Sequence, residues 1–216
     1  ADRIIEEAFE QVEQAADLGS RIHDAIEKHY EGVAVPEDLV TYIAPVLKWQ
    51  EEKQLEFIER ELRVVNKEHG FAGTMDVACI KFATPEEHSK FNVERSTFNV
   101  RRLARSSAIG VVDFKTRKTK PGVEVTPYDG QAMQIAAYGA TYWGEENLPR
   151  LFGANVYIST TEPGRLEVCS YSPQQLMAEW EVFKMACAIW RHTKTYDPRE
   201  DGCPQPPQDG EDAAHG

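Results

Sequence analysis

The chain contains 216 residues, of which 41% are hydrophobic and 28% are charged; this composition excludes collagens, coiled coils and low-complexity proteins. Its formal net charge of −12 argues against a protein that coats nucleic acid without specificity. No apolar run approaches the roughly 18 residues that cross a bilayer, and the acidic, amphipathic beginning is typical of neither a secretory signal nor a transit peptide.

Three helices are predicted in the first part of the chain. Apolar residues recur at helical spacing over 2–16 and again over 18–30. Pro36, a residue tolerated at the first position of a helix, opens a third helix that runs toward Leu55. Pro45 lies inside this third pattern and has no backbone N–H to donate, so we expect it to kink or divide the helix.

The hydrophobic period then changes to that of strands. Residues 57–65 and 71–82 are predicted to form a hairpin, and the apolar run 108–114 predicts a central strand covered on both faces. Between them, residues 83–107 are polar and irregular, which is typical of an insertion or an extended loop. A helix is predicted over 130–142.

The remaining elements complete a layered fold. A second strand pair is predicted over 152–160 and 165–171, and a last helix from Pro173 through Ile189. This order of elements predicts an α/β fold with a mixed central β-sheet flanked by helices.

We expect a single domain over residues 1–195, made of a helical region at 1–56 and an α/β core at 57–195. The tail at 196–216 is rich in Pro, Gly and acidic residues, a composition typical of disorder. Its acidity contrasts with the strongly basic stretch 101–120, so the net charge alone does not exclude a polyanionic substrate.

The four cysteines are scattered, and none lies in a C-x-x-C pair. Zinc fingers and iron–sulfur clusters use closely spaced thiolates, so we expect neither. Four scattered cysteines in a chain of this size are typical of reduced thiols in a cytoplasmic compartment.

Two acidic residues near the centre of the pattern are candidates for chemistry. Asp76 lies on the second predicted strand, and Asp113 lies near the end of the apolar run. A carboxylate on a buried strand is costly unless it is paired, and Lys115 projects from the same strand face as Asp113. A bound metal would also offset the charge. An isolated Asp-x-Lys pattern is more often a simple ion pair between neighbours at a strand end, and this alternative stays open.

Four motifs place these residues in a wider pattern. They are Gly19-x-x-x-His23-x-x-x-Glu27 on a predicted helix, Gly73-Thr74-Met75-Asp76 and Asp113-Phe114-Lys115 on predicted strands, and Gln134-x-x-x-Tyr138 on a predicted helix. In this order they resemble the PD-(D/E)XK nuclease superfamily. More narrowly, they resemble its RecB-like branch, whose relatives include the mitochondrial genome maintenance exonuclease and phage recombination exonucleases. The resemblance spans residues 18–140.

The resemblance implies catalysis by a divalent metal, Mg²⁺ or Mn²⁺. It implies metal ligands at His23, Asp76, Asp113 and the backbone carbonyl of Phe114, with Lys115 as the catalytic lysine. Asp113 stands where many relatives have glutamate, which changes the reach of the side chain rather than its chemistry. Hard oxygen ligands suit Mg²⁺, and an imidazole extends the choice to Mn²⁺.

Further site residues are implied, each with an open alternative. Gln134 and Tyr138 share one helix face and by resemblance approach the site, or they form a polar helix edge. Glu61 by resemblance faces the site, or it belongs to a solvent-facing run of charges. Gly19 would allow close helix packing, and Glu27 either orients the histidine or covers a solvated face.

DNA contacts are expected along the basic stretch, although a solvated charged face is the alternative. The candidates are Thr116, Arg117, Lys118, Lys120, Arg101, Arg102 and Arg105. The aromatic residues Phe91, Phe98 and Tyr128 could stack on unpaired bases.

The function implied by the resemblance is a metal-dependent DNA nuclease, foremost an exonuclease on single-stranded or end-containing DNA in replication, recombination or repair. The alternatives are a non-catalytic nucleic-acid-binding protein on a nuclease scaffold, a structure-specific endonuclease, and an unrelated α/β protein. We expect DNA and a replication or recombination protein as partners, and no membrane. A bacterial or phage-infected cytoplasm is expected rather than a mitochondrion.

Overall fold

The computed structural model describes residues 17–94 and 108–200, apart from the side chains of 90–94. Within these residues, five strands form one sheet in chain order. They are β1 (Leu55–Asn66), β2 (Phe71–Lys81), β3 (Ala108–Arg117), β4 (Leu151–Ser159) and β5 (Leu166–Tyr171). Strands β3 and β4 pair in parallel, and the other neighbours pair antiparallel. The predicted α/β fold with a mixed central sheet is confirmed.

Five helices are described, of which the first two cover one face of this sheet and the last two cover the other. They are α1 (17–30), α2 (Val40–Glu52), α3 (Pro85–Glu94), α4 (Gln131–Trp143) and α5 (Pro173–Lys194). Short 3-10 helices at Glu37–Leu39 and Glu145–Arg150 lead into α2 and β4. Among the described residues, no helix is both long enough and apolar enough to span a membrane.

The hydrophobic core is divided by the sheet into two layers. On one side, α1 and α2 contribute Ile22, Ile26 and Ile43, which lie in one cluster with Val112 and Phe114 of β3. On the other side, α4 and α5 pack buried residues, among them Ile135, Leu176 and Trp180, against the opposite face. Strand β3 therefore carries apolar side chains on both faces, as its nearly continuous apolar run predicts.

Helix α4 makes the crossover that a parallel strand pair requires, since it connects β3 to β4. Helix α5 begins after a capping box at Ser172. The Ser172 hydroxyl accepts from the N–H of Gln175 at 3.3 Å, and the Gln175 side chain accepts from the N–H of Ser172 at 2.9 Å. Pro173 then occupies the first turn, where its missing donor costs nothing.

Two sequence predictions about elements differ from the structure. Of the two outcomes predicted for Pro45, division of the third helix does not occur, because α2 runs unbroken over Val40–Glu52. The proline sits near the start of α2, where the only helical bond it removes is its own to the carbonyl of Thr41. The region 83–107 is not irregular throughout, since α3 occupies Pro85–Glu94.

Helix α3 begins with Pro85 and an acidic first turn that suits the positive end of a helix. The other boundaries differ modestly from the predicted ones, and α5 extends beyond Ile189 to Lys194. The predicted helix at 2–16 and the last residues of the predicted tail, 201–216, lie outside the described residues.

Candidate active site

The sheet opens into a fork between β2 and β3. Pairing between these strands ends at Val77 and Val112, so Asp76 and Asp113 occupy the first level at which the strands separate. At this level the N–H of Phe114 is released from the ladder and donates instead to Oδ2 of Asp76 at 2.8 Å. The fork thus joins the two acidic motifs through a backbone hydrogen bond.

Asp113 is buried, with 2% of its surface exposed, and its carboxylate has two donors. The ammonium of Lys115 lies 2.7 Å from it, and Nδ2 of Asn155 donates to Oδ2 at 2.7 Å. Asp113 and Lys115 lie on the same face of β3, as the alternation of a strand dictates. The buried charge is therefore paired, which removes most of the cost of placing it there.

Asp76 has a less favourable environment. Its side chain is 14% exposed, and burial raises the pKa of Asp76 to about 7, an effect reinforced by the negative charge of Asp113. The Phe114 N–H and the Lys115 ammonium act in the opposite direction but do not cancel burial. The metal-free site thus holds more carboxylate than its cations neutralise.

Glu61 stands opposite Asp76, at a level where β1 and β2 are also unpaired. The register passes from Arg60–Val77 to Leu62–Met75, and Glu61 itself adopts φ of 45°, a left-handed conformation that side chains rarely take. Burial raises the pKa of Glu61, and the charges of Glu27 and Asp113 add to the effect. The backbone break thus turns an exposed strand residue toward the acidic site.

Helix α1 supplies the histidine above the fork. Nδ1 of His23 lies 3.9 Å from Oδ2 of Asp76, and the imidazole contacts the Phe114 ring edge-on, with centroids 6.3 Å apart. Burial lowers the pKa of His23, the positive charge of Lys115 lowers it further, and a hydrogen bond with the Phe114 backbone opposes both. A neutral imidazole is the form that binds a metal.

The side chains fit a divalent cation. His23, Glu61 and Asp76 each offer a ligand atom, and these three atoms lie within 4.8 Å of one another. One imidazole nitrogen with carboxylate oxygens is a donor set that suits Mg²⁺ and Mn²⁺. Asp113 stands beside this cluster with its oxygens held by Lys115 and Asn155.

The cluster opens into a cleft of about 510 Å³. Its walls come from α1, β1, β2 and β3 and consist of Gly19, Ser20, His23, Asp24, Glu27, Glu61, Asp76 and Thr116. Gly19 packs directly on β3, because a Cβ built there would stand 2.7 Å from Oγ1 of Thr116. The first motif thus places its glycine at the helix–strand contact and its histidine over the acids.

Helix α4 brings the last motif to the same region. Nε2 of Gln134 donates to the Tyr138 hydroxyl at 3.2 Å, and Tyr138 is buried apart from 8% of its surface. Burial raises the pKa of Tyr138, and the charges of Asp113 and Asp76 contribute in the same direction. Gly73 makes room for the ring, since a Cβ there would lie 2.7 Å from the tyrosine hydroxyl oxygen.

The predicted DNA-binding residues are only partly placed. Arg117 ends β3 and covers the ring of Tyr128 at 4.2 Å, and Lys118 and Lys120 follow it on the surface. Thr116 lines the cleft. Other predicted contacts lie outside what the structure describes: Arg101, Arg102, Arg105, Phe98 and the side chain of Phe91.

Sequence reasoning missed Asn155 and Tyr171. Asn155 is fully buried on β4, opposite Asp113, and its Oδ1 accepts from the Tyr171 hydroxyl at 2.7 Å. The available signal was a single amide within the otherwise apolar stretch LFGANVYI. Its relation to Asp113 depends on the register of a strand pair more than 40 positions apart, which spacing along the chain does not contain.

Comparisons with family models and with solved structures give matches. Among curated proteins, no match was found. Among solved structures, the match "Crystal structure of SSO0001" is 15% identical and covers 76% of this chain and 74% of that chain, with a TM-score of 0.30. The family model of the PD-(D/E)XK nuclease superfamily matches residues 1–205. With that match across nearly the whole sequence, the chain belongs to the PD-(D/E)XK nuclease superfamily.

Proposed function

We propose that the protein is a Mg²⁺- or Mn²⁺-dependent deoxyribonuclease of the RecB-like branch, acting as an exonuclease on single-stranded or end-containing DNA. The observation that carries this proposal is the convergence of Asp76, Asp113 and Lys115 at one fork of the sheet, with His23 above it. Superfamily membership supports the same chemistry.

His23, Glu61 and Asp76, whose ligand atoms cluster, would hold the cation. By the resemblance, Asp113 and the backbone carbonyl of Phe114 would complete the set of ligands. A bound Mg²⁺ or Mn²⁺ supplies Lewis-acid activation of water and of the phosphate. Lys115 presents its ammonium beside Asp113, where it would orient the attacking water and offset charge on the phosphate oxygens. Tyr138, fixed by Gln134, would present its hydroxyl to the same phosphate.

A path for an unpaired strand leads away from this site along β3. Asp113, Lys115 and Arg117 occupy every second position of β3 and therefore lie on one face of the strand. The guanidinium of Arg117, which would bind phosphate, thus follows the catalytic pair. Tyr128 is 64% exposed, and Arg117 covers its ring, which offers a flat, charged surface to a base and its phosphate. Stacking of this kind favours single-stranded DNA over duplex.

The proposal is tested with end-labelled linear and circular DNA, single- and double-stranded, in Mg²⁺, Mn²⁺ or EDTA. We expect metal-dependent loss of linear DNA with circles intact. The variant Asp113→Ala should reduce cleavage by at least about 1,000-fold, because it removes a metal ligand and leaves Lys115 unpaired. Lys48→Gln, an exposed change on α2, is the matched control and should cleave as the wild type does.

Other outcomes point to other functions. Cutting of circles would establish an endonuclease. Binding of DNA without cleavage in any metal would indicate a non-catalytic scaffold. Unchanged cleavage by a pure Asp113→Ala protein would overturn the assignment of the site.

A further inference from the structure

The Asp113 carboxylate is held from two sides by groups of different character. Lys115 approaches it from the same strand, and 32% of that lysine side chain is exposed. Asn155 approaches from β4, is fully buried, and donates to Oδ2 of Asp113 at 2.7 Å. One donor is thus partly exposed to solvent, whereas the other is enclosed in the core.

The orientation of the Asn155 amide is fixed by a third residue. Tyr171 is itself buried, with 8% exposed, and its hydroxyl donates to Oδ1 of Asn155 at 2.7 Å. An amide has one accepting end and one donating end. With its accepting end occupied by Tyr171, Asn155 turns its NH₂ group toward Asp113.

Burying this amide costs desolvation free energy, and packing alone does not require a polar side chain at this position. Asn155 lies in β4 between Ala154 and Val156, both of which are buried in the opposite core layer. Buried polar groups are tolerated when their partners are present, and side chains that hold a metal ligand in turn govern the affinity of its site. The chain Tyr171–Asn155–Asp113 is satisfied at each link.

We infer that Asn155 and Tyr171 are positioning residues, which hold the Asp113 carboxylate in its metal-binding orientation independently of Lys115. This inference rests on the proposed function, because it assigns Asp113 to a metal site. Lys115 then needs no permanent bond to Asp113 and can turn toward water or phosphate. Asp113 keeps its rotamer through the buried donor.

The test measures Mn²⁺ binding to the purified protein, by the electron paramagnetic resonance signal of free Mn²⁺, with no DNA present. Tyr171→Phe removes one hydroxyl and leaves the ring in place. We expect it to weaken Mn²⁺ binding about 10-fold, and Asn155→Leu to weaken it between about 10- and 100-fold. Tyr157→Phe is the matched control, because its hydroxyl bonds Gln131 rather than Asn155, and it should bind Mn²⁺ as the wild type does.

A second measurement separates positioning from a structural effect. Tyr171→Phe should still unfold in one cooperative urea transition, at a midpoint lowered only by the loss of one buried hydrogen bond. Its cleavage rate should approach the wild-type rate once Mn²⁺ is saturating. Lys115→Gln should show the reverse split, with Mn²⁺ binding retained and the saturated rate lost. Tyr171→Phe that binds Mn²⁺ as tightly as the wild type would overturn the inference.

Failure of the proposed function looks different from failure of the inference. If the wild type neither binds Mn²⁺ nor cleaves DNA, the metal site itself is wrong, and the inference falls with it. If the wild type binds Mn²⁺ and cleaves DNA but the two substitutions leave its Mn²⁺ affinity unchanged, only the positioning role is overturned.

Discussion

The acidic side chains at the fork together carry more negative charge than Lys115 neutralises when no metal is bound. Asp76 shows this most clearly, because burial and the nearby Asp113 raise its pKa to about 7. A site of this kind stores unfavourable free energy that a bound cation releases. Activity and stability should therefore oppose each other at this position.

We expect Asp76→Asn to stabilise the metal-free protein by on the order of 1–3 kcal/mol, since it removes a buried charge and keeps an oxygen that can accept from the Phe114 N–H. The same substitution should abolish the stabilisation that Mn²⁺ gives the wild type. Urea unfolding with Mn²⁺ and with EDTA measures both effects. A loss of stability in EDTA would show that the Asp76 charge is not a burden to the metal-free fold.

The raised pKa of Asp76 also predicts how stability varies with pH. Between the ordinary value of 3.8 and about 7, the folded chain keeps a proton that the unfolded chain has lost. The contribution of Asp76 to the unfolding free energy should therefore fall as pH rises from about 4 to 7 and then level off. Urea unfolding in EDTA across this pH range measures the free energy of unfolding of the wild type and of Asp76→Asn. The difference between the two values is the contribution of the Asp76 carboxyl.

Addition of Mn²⁺ should reverse that slope, because metal binding competes with protonation of the carboxylate. If the difference in unfolding free energy between the wild type and Asp76→Asn in EDTA is constant between pH 4 and 7, the raised pKa of Asp76 is contradicted.

At the scale of elements, helix α4 lies on the sheet at a distance set by a glycine. A Cβ at Gly139 would stand 2.2 Å from a methyl carbon of Leu151 on β4, closer than side chains can approach. The absence of a Cβ at Gly139 therefore lets the helix that carries Gln134 and Tyr138 lie close to the sheet. Because this helix is the crossover between β3 and β4, the contact also fixes the position of the last motif relative to β4.

Gly139→Ala should destabilise the protein by about 1–3 kcal/mol, although alanine normally favours a helix over glycine by about 1 kcal/mol. The reason is overpacking against Leu151. Urea unfolding gives the value, and Ala178→Gly on the exposed face of α5 is the control for helix propensity alone, with an expected loss of about 1 kcal/mol. A more stable Gly139→Ala protein would show that α4 can lift freely from the sheet.

The elements themselves could largely be predicted from the sequence. The hairpin of β1 and β2 and the strand β3 follow from the change of hydrophobic period, and Pro173 marks the start of α5. The continuity of α2 through Pro45 could not, because it depends on where the helix starts relative to the proline. Helix α3 lies in a segment whose polar composition hides its period.

At the scale of the whole molecule, α5 presents one face to the core and an apolar face outward. Leu176 and Trp180 are buried, whereas Val182, Met185 and Ile189 are 43%, 58% and 67% exposed. The inner residues should therefore carry the stability of this helix. The outer ones should contribute little to it.

We expect the double variant Met185→Gln, Ile189→Gln to change the free energy of unfolding by less than about 1 kcal/mol. Leu176→Ala, on the inner face, should cost about 2–5 kcal/mol. Both values come from urea unfolding of the full chain. A large loss in the double variant would mean that another part of the chain covers this face in solution.

The site as a whole could be assembled only in part from the sequence. The motif residues His23, Asp76, Asp113 and Lys115 lie on elements whose type was predictable, and they come together in the structure. The convergence itself depends on where β2 and β3 stop pairing, a property of register that no motif records. The same limit hid Asn155.

The contact between Gly19 and Thr116 means that the combined size of these two side chains sets the distance between α1 and β3, and so the width of the cleft. These positions are far apart in the chain yet adjacent in space, because a Cβ at residue 19 would stand 2.7 Å from Oγ1 of Thr116, closer than real Cβ atoms come. Any growth at one position must be met by shrinkage at the other, or α1 moves outward. His23 would then leave its place 3.9 Å from Oδ2 of Asp76, so this helix–strand contact limits which substitutions the catalytic centre tolerates.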